Sequence, residues 1–220
     1  MSTNSPLSPP PDGSTAPLYE LAFIKKCHLL IIRGYETLNL PSLHESQETE
    51  ITGELVKAIK QFLESDSAPA WTARFFVADD PPHDTPGKLG KGRRRVDIEF
   101  ERGQHGSRPR IHFEAKRLYR SDSVSEYLGD KGLRLFVLGV YAPKQEVGGM
   151  LGYVQQGEPA AWIERIRDAL TATPAHYAFR LPPGLVQTVL TPALDTTHVS
   201  HHDRRALGRP IAIYHTLLRL

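Results

Sequence analysis

Polar and apolar residues alternate along 110–117, Arg-Ile-His-Phe-Glu-Ala-Lys-Arg. Successive side chains of a β-strand point to opposite faces, so Ile111, Phe113 and Ala115 share one face and His112, Glu114 and Lys116 the other. A second run of the same period lies upstream, with Val96, Ile98 and Phe100 alternating with Asp97, Glu99 and Glu101. The pattern predicts strands over 94–101 and 109–118, joined by a connection a little long for a tight hairpin. If the two pair with their apolar faces together, Asp97, Glu114 and Lys116 gather on one charged face.

Elsewhere the spacing changes to that of helices. Leu21, Ile24, Ile31, Ile32 and Tyr35 predict a buried helix over 18–35, with His28 on its stripe as a packed core histidine. Ile51, Leu55, Ile59, Phe62 and Leu63 predict another over 47–64, with Glu50 and Glu54 one turn apart beside the stripe. A strand over 74–78 and a loop over 79–92, rich in Pro, Gly and Asp, follow. Past Leu118, a polar turn over 121–125 can cap a helix that includes Tyr127 and Leu128 and continues through 133–140. A short strand over 150–155 comes after Gly148-Gly149, read as a flexible pair. Pro159 opens an amphipathic helix carrying Trp162, Ile163, Ile166 and Leu170. Strands are expected near 186–190, 196–202 and 211–218. Residues 1–17, with Pro9-Pro10-Pro11 among Ser and Thr, are expected to form a disordered tail. No internal repeat is evident, and the order of elements predicts one mixed α/β domain over 18–220.

The composition of the 220 residues, 40% hydrophobic and 24% charged, is that of an ordinary globular chain. A formal net charge of +2 means that attraction to nucleic acid must come from a local patch. Cys27 is the sole cysteine, which removes an intramolecular disulfide and a cysteine-rich zinc site; it is expected to be a buried packing residue. No targeting signal is evident, and apolar runs such as 29–32 and 135–140 fall far short of the roughly 20 residues of a membrane helix. The expectation is a cytoplasmic protein with no membrane contact.

Two carboxylates beside a lysine are the minimum set for metal-assisted phosphodiester hydrolysis. A divalent cation polarises the phosphoryl oxygen, lowers the pKa of bound water and neutralises the leaving oxygen. Hard Mg²⁺ prefers carboxylate oxygens together with substrate phosphate and water. Asp97 and Glu114 are the candidate ligands, with the Ala115 carbonyl as a further oxygen. Lys116 is placed to orient or deprotonate the attacking water, or to stabilise charge growing on phosphorus. Glu50 or Glu54 is the candidate carboxylate from the helix. The competing reading is that alternating charges on a strand mark only a solvated face.

An acidic helix (Glu48-Thr49-Glu50-Ile51-Thr52-Gly53-Glu54), a strand bearing Asp (Val96-Asp97-Ile98) and a strand bearing Glu-x-Lys (Phe113-Glu114-Ala115-Lys116) occur here in that order. This resembles the PD-(D/E)xK, or restriction-endonuclease-like, nuclease superfamily over about 48–155. The resemblance implies a central mixed sheet flanked by helices, here with a β-rich C-terminal extension over about 156–220. It also implies Mg²⁺ dependence, with Mn²⁺ as a substitute, and endonuclease cleavage of phosphodiester bonds. Asp97 and Glu114 match the metal-binding acids and Lys116 the catalytic lysine, while Glu50, slightly preferred, or Glu54 matches the helix acid. Val96 stands where the pattern has Pro.

Lys88, Lys91, Arg93, Arg94 and Arg95 crowd a Gly-rich loop leading into the Asp97 strand and suit phosphate-backbone contacts. Arg117 and Arg120 extend the basic character, and Tyr127, Lys131 and Arg134 are candidates to line the same cleft. His198, His201, His202 and His215 match no standard zinc spacing. Ser200, His202 and Arg204 share one strand face, either touching phosphate or solvated. The leading expectation is a Mg²⁺-dependent nuclease, with DNA the favoured substrate, acting in antiviral defence or repair. A protein partner supplying specificity and a homo-oligomer are both compatible with a chain this small. The alternative is a non-catalytic nucleic-acid-binding or assembly subunit on the same scaffold.

Overall fold

Seven strands form one mixed sheet: β1 (Phe75–Asp79), β2 (Ile98–Arg102), β3 (Arg110–Leu118), β4 (Val147–Val154), β5 (Val186–Gln187), β6 (Thr197–Arg204) and β7 (Arg209–Arg219). Their spatial order is β1-β2-β3-β4-β7-β6-β5. The outer pairs are antiparallel, while β3, β4 and β7 run parallel to their neighbours at the centre. The computed structural model describes residues 16–82, 93–104, 106, 108–194 and 196–220. The expected disordered tail therefore lies outside the described residues, save for Ala16 and Pro17, which begin a helix. Lys88 and Lys91 also lie outside them.

Helices cover both faces of the sheet. On one face, α1 (Ala16–Tyr35) and α3 (Glu48–Glu64), linked by the short α2 (Leu40–Leu43), pack on Ile98, Phe100, Ile111, Phe113 and Leu151. Gly34 permits close approach of α1 to α3, since a Cβ there would fall 2.6 Å from an Ile59 side-chain carbon. His28 is fully buried on this face, edge-on to both Phe113 and Tyr214, with Nδ1 at 2.9 Å from Ile24 O. Cys27 is buried beside it. On the other face, α4 (Ser123–Leu128), α5 (Leu133–Val137) and α6 (Pro159–Ala172) pack on Leu118, Met150, Val154, Ile213 and Leu217. No helix among the described residues is long and apolar enough to cross a membrane.

Four features differ from the sequence-based expectation. The strand expected over 94–101 begins only at Ile98, so Asp97 precedes it, and Val96 packs with Leu118 and Met150 on the face opposite Ile98 and Phe100. The single helix expected past Ser121 is two short ones, because the chain folds back at Gly132, where a Cβ would fall 2.1 Å from Tyr127 O. Gly148 and Gly149 are not a flexible joint but lie inside fully buried β4. The C-terminal strands are not an extension of a core ending near residue 155: β7 pairs with β4 at the centre of the same sheet.

Candidate active site

The ladder between β2 and β3 pairs Ile98 with Phe113 and Glu99 with His112. Asp97 lies one residue before this ladder, and its Oδ2 comes within 4.0 Å of Lys116 Nζ. The Asp97 carboxylate is fixed by the sheet itself, since its Oδ2 accepts the Ala115 N–H at 2.7 Å. On β3, His112, Glu114 and Lys116 are only 2%, 6% and 8% exposed, so a solvated strand face is ruled out for them. Among these, His112 is held by Glu99 at 2.6 Å.

Lys116 Nζ is the centre of the cluster. It donates to Glu48 Oε1 at 2.8 Å, Glu114 Oε1 at 2.9 Å and Ala115 O at 2.6 Å, with Asp97 Oδ2 at 4.0 Å. An ammonium has three N–H donors, and all three are used. Sequence reasoning missed Glu48, and the two helix acids it nominated are not brought to the cluster. Glu50 closes the start of α3, accepting the Gln47 N–H at 2.9 Å in a capping box. Glu54 binds Lys57 on the exposed side of the helix. The signal was in the helix period all along. At about 100° per residue, Glu48 falls in the middle of the stripe formed by Ile51, Thr52, Leu55 and Ile59, whereas Glu50 points nearly opposite.

The electrostatics follow from burying three acids around one base. Glu114 is pushed up to about 8, first by burial and then by the neighbouring Asp97 charge, with Lys116 opposing both. Asp97 is also raised, chiefly by burial, despite Lys116 and the Ala115 N–H. Burial alone would lower Lys116, but Glu114, Glu48 and Asp97 together outweigh it and raise the ammonium above its ordinary value. Lys116 therefore stays cationic at neutral pH. Tyr141 lies near the acids and donates its hydroxyl to Arg95 O at 2.8 Å. Burial, then the Glu114 and Asp97 charges, raise this phenol.

Beside Glu48 and Lys116 opens a cleft of about 470 Å³, also lined by Ser125, Glu126, Gly129, Asp130 and Lys131. Lys131 thus reaches the cleft as expected of a lining residue. Tyr127 does not: it is fully buried, with its hydroxyl 3.0 Å from His215 Nδ1. Arg134 is tied to Asp130, and Arg120 to Asp122 and Glu126. Arg117 reaches Ser46 O at 3.3 Å and stacks over Tyr119, with Arg120 on the same ring. Arg95 pairs with Asp80 at 2.6 Å, and Arg93 and Arg94 precede it on the approach to Asp97. A larger cleft of about 650 Å³ lies at the other end of β3, where Arg108 and Arg110 both pair with Glu101.

Ser200, His202 and Arg204 neither touch solvent nor stand ready for phosphate; all three are buried. Arg204 donates to Ala142 O at 2.7 Å and Pro210 O at 3.2 Å, tying the loop before β4 to the β6–β7 hairpin.

The donor set of Asp97, Glu114, Glu48 and the Ala115 carbonyl is all oxygen, the chemistry a hard divalent cation takes. Among the described residues, no group of three or more His, Cys, Asp or Glu side chains is arranged to hold a metal ion. The acids converge on the ammonium between them. Compared with known proteins, the chain matches no family model, no curated protein and no solved structure.

Proposed function

We propose that this chain is a Mg²⁺-dependent nuclease of the restriction-endonuclease-like type, hydrolysing phosphodiester bonds of nucleic acid, with DNA the favoured substrate. The observation that carries the reading is the convergence of Glu48, Glu114 and Ala115 O on Lys116 Nζ, with Asp97 anchored on the next N–H of the same strand. A cluster of buried charges is costly to build for stability alone. Perturbed acids in contact with a lysine at the lip of a cleft are a mark of function.

Asp97, Glu114 and the Ala115 carbonyl would hold the metal ion, with Glu48 bringing the helix carboxylate. Bound there, Mg²⁺ would polarise the phosphoryl oxygen and make the attacking water a better nucleophile. In the reaction the water oxygen bonds to phosphorus and the bond from phosphorus to the leaving sugar oxygen breaks. One water proton ends on that leaving oxygen, and the other is released to solvent. Lys116, cationic where it meets the acids, would serve as a donor to the phosphoryl oxygens. Residues 93–95 supply positive charge on the approach.

Incubating the purified chain with plasmid DNA and Mg²⁺ tests this reading. Nicking that EDTA stops and that Glu114→Gln abolishes supports it; nicking that survives in Glu114→Gln refutes it. A second reading, a non-catalytic nucleic-acid-binding subunit, is favoured by one feature: every donor of Lys116 is spent on protein oxygens. Salt-sensitive DNA binding without turnover at any Mg²⁺ concentration would select it.

A further inference from the structure

We infer that Lys116 is an internal competitor of the divalent cation, so that metal entry requires its ammonium to leave the acids, and that nucleic acid promotes this exchange. The inference rests on the metal-dependent reading above and concerns how that site is regulated.

Lys116 Nζ holds Glu114 Oε1 and Ala115 O, two of the oxygens the metal needs, and also Glu48 Oε1. One oxygen can be shared between a metal ion and a donor, but two cations packed among the same buried oxygens repel strongly at the low local dielectric. The lysine is the one able to move: it is a point charge on a flexible four-carbon stem. The cleft beside Glu48 gives it somewhere to go, and its walls carry Glu126 and Asp130. Those carboxylates are already engaged by Arg120 and Arg134 at the surface, so they are poor substitutes for the three buried acceptors left behind.

A phosphate group in that cleft changes the balance. It offers the displaced ammonium an anionic partner while the metal neutralises the acids the ammonium has left. Metal and nucleic acid then bind cooperatively, each favouring the same arrangement of Lys116. Without substrate the site is neutralised by its own lysine and holds Mg²⁺ weakly.

Calorimetric titration of wild type and Lys116→Met with Mg²⁺ alone tests the competition. The variant is expected to bind about tenfold tighter or more, a typical size for a coupling of this kind. The Lys116→Met chain has uncompensated buried acids and can fail to fold without metal. A second measurement therefore uses the wild type labelled with ¹⁵N-lysine. A buried ammonium with three acceptors gives a protected NH₃⁺ signal, expected to be lost as Mg²⁺ binds and at lower Mg²⁺ once a short oligonucleotide is present. Equal or weaker Mg²⁺ binding by a folded variant overturns the inference. So does an ammonium signal unchanged at saturating Mg²⁺. In both cases the metal-dependent reading survives, because Mg²⁺ still binds. No Mg²⁺ binding by either protein, with or without oligonucleotide, overturns both.

Discussion

Glu48 and Glu50 stand two residues apart on α3 and do unrelated things: Glu48 reaches the Lys116 ammonium at 2.8 Å, and Glu50 turns back to cap its own helix. The two carboxylates are therefore separable by substitution. Glu48→Gln is expected to lower Mg²⁺-dependent cleavage by about 10–100-fold, the usual cost of disturbing a group that supports a metal site. Glu50→Ala is expected to lose about 0.5–1 kcal/mol of stability through its cap and to keep its activity. Urea melts and cleavage rates on both variants check this, and equal loss of activity would remove the distinction.

Much of this site is legible in the sequence, and the part that is not has a physical reason. A strand has period two, so pairing Val96, Ile98 and Phe100 with Ile111, Phe113 and Ala115 leaves Asp97, Glu114 and Lys116 on the opposite face. Parity holds for Ile98 and Phe100 but breaks before them: the ladder begins at Ile98, Val96 packs with the helices of the other face, and Asp97 reaches the cluster through its Oδ2, which accepts the Ala115 N–H. A helix has no such parity. Choosing among Glu48, Glu50 and Glu54 required treating Glu48 as part of the apolar stripe, and a charged residue at a helix start reads first as a cap. The burial of His112, Glu114 and Lys116 was hidden too, because strand alternation looks the same whether the polar face meets water or helices.

Gly149 illustrates a different illegibility. A glycine pair reads as a hinge, yet a Cβ on Gly149 would fall 2.1 Å from the Phe113 ring, which lies across β4 one residue before Glu114. Only absence of a side chain lets that ring settle against the central strand. Gly149→Ala is expected to cost about 1–3 kcal/mol by overpacking. Displacing Phe113 also shifts Glu114, so activity should fall along with stability. A thermal melt with a parallel cleavage assay checks it; an unchanged melt would mean the ring has room to move.

In the C-terminal half, a run of hydrogen bonds joins the sheet to α4, and its direction can be deduced. His202 Nδ1 lies 2.8 Å from Tyr177 O, which can only accept, so Nδ1 carries the proton. Its Nε2 must then accept from the Ser200 hydroxyl at 2.7 Å, and Ser200 Oγ accepts from His215 Nε2 at 2.7 Å. That leaves His215 Nδ1 to accept from Tyr127. His202, Ser200, His215 and Tyr127 are all buried, and burial lowers both imidazoles, His202 to about 4, in keeping with neutral rings. Ser200 is thus a relay between two histidines in the core and not a nucleophile. Ser200→Ala removes one atom and strands both rings, so a loss of about 1–3 kcal/mol is expected in chemical denaturation. A loss no larger than that of an exposed serine would show the chain of bonds is not formed.

Glu114 makes stability fall as pH rises, the reverse of an ordinary paired carboxylate. Its carboxyl titrates near 4.5 when unfolded and at about 8 in the folded chain. Between those values the folded state holds a proton that the unfolded state has lost. The linkage relation then requires stability to fall from about pH 4.5 to about pH 8, with the full penalty present above that. Its size is on the order of a few kcal/mol. His28 and His202 act oppositely, adding stability as pH rises from about 4 to 6.5, so a wild-type profile alone mixes these contributions. Glu114→Gln separates them, because the histidine contribution is common to both proteins and cancels. In metal-free buffer the variant is expected to gain stability relative to wild type steadily across that window, read from urea midpoints at pH 5, 6.5, 8 and 9. A constant difference at all four would mean that Glu114 ionises as an ordinary carboxylate, and that the Lys116 ammonium fully compensates its burial.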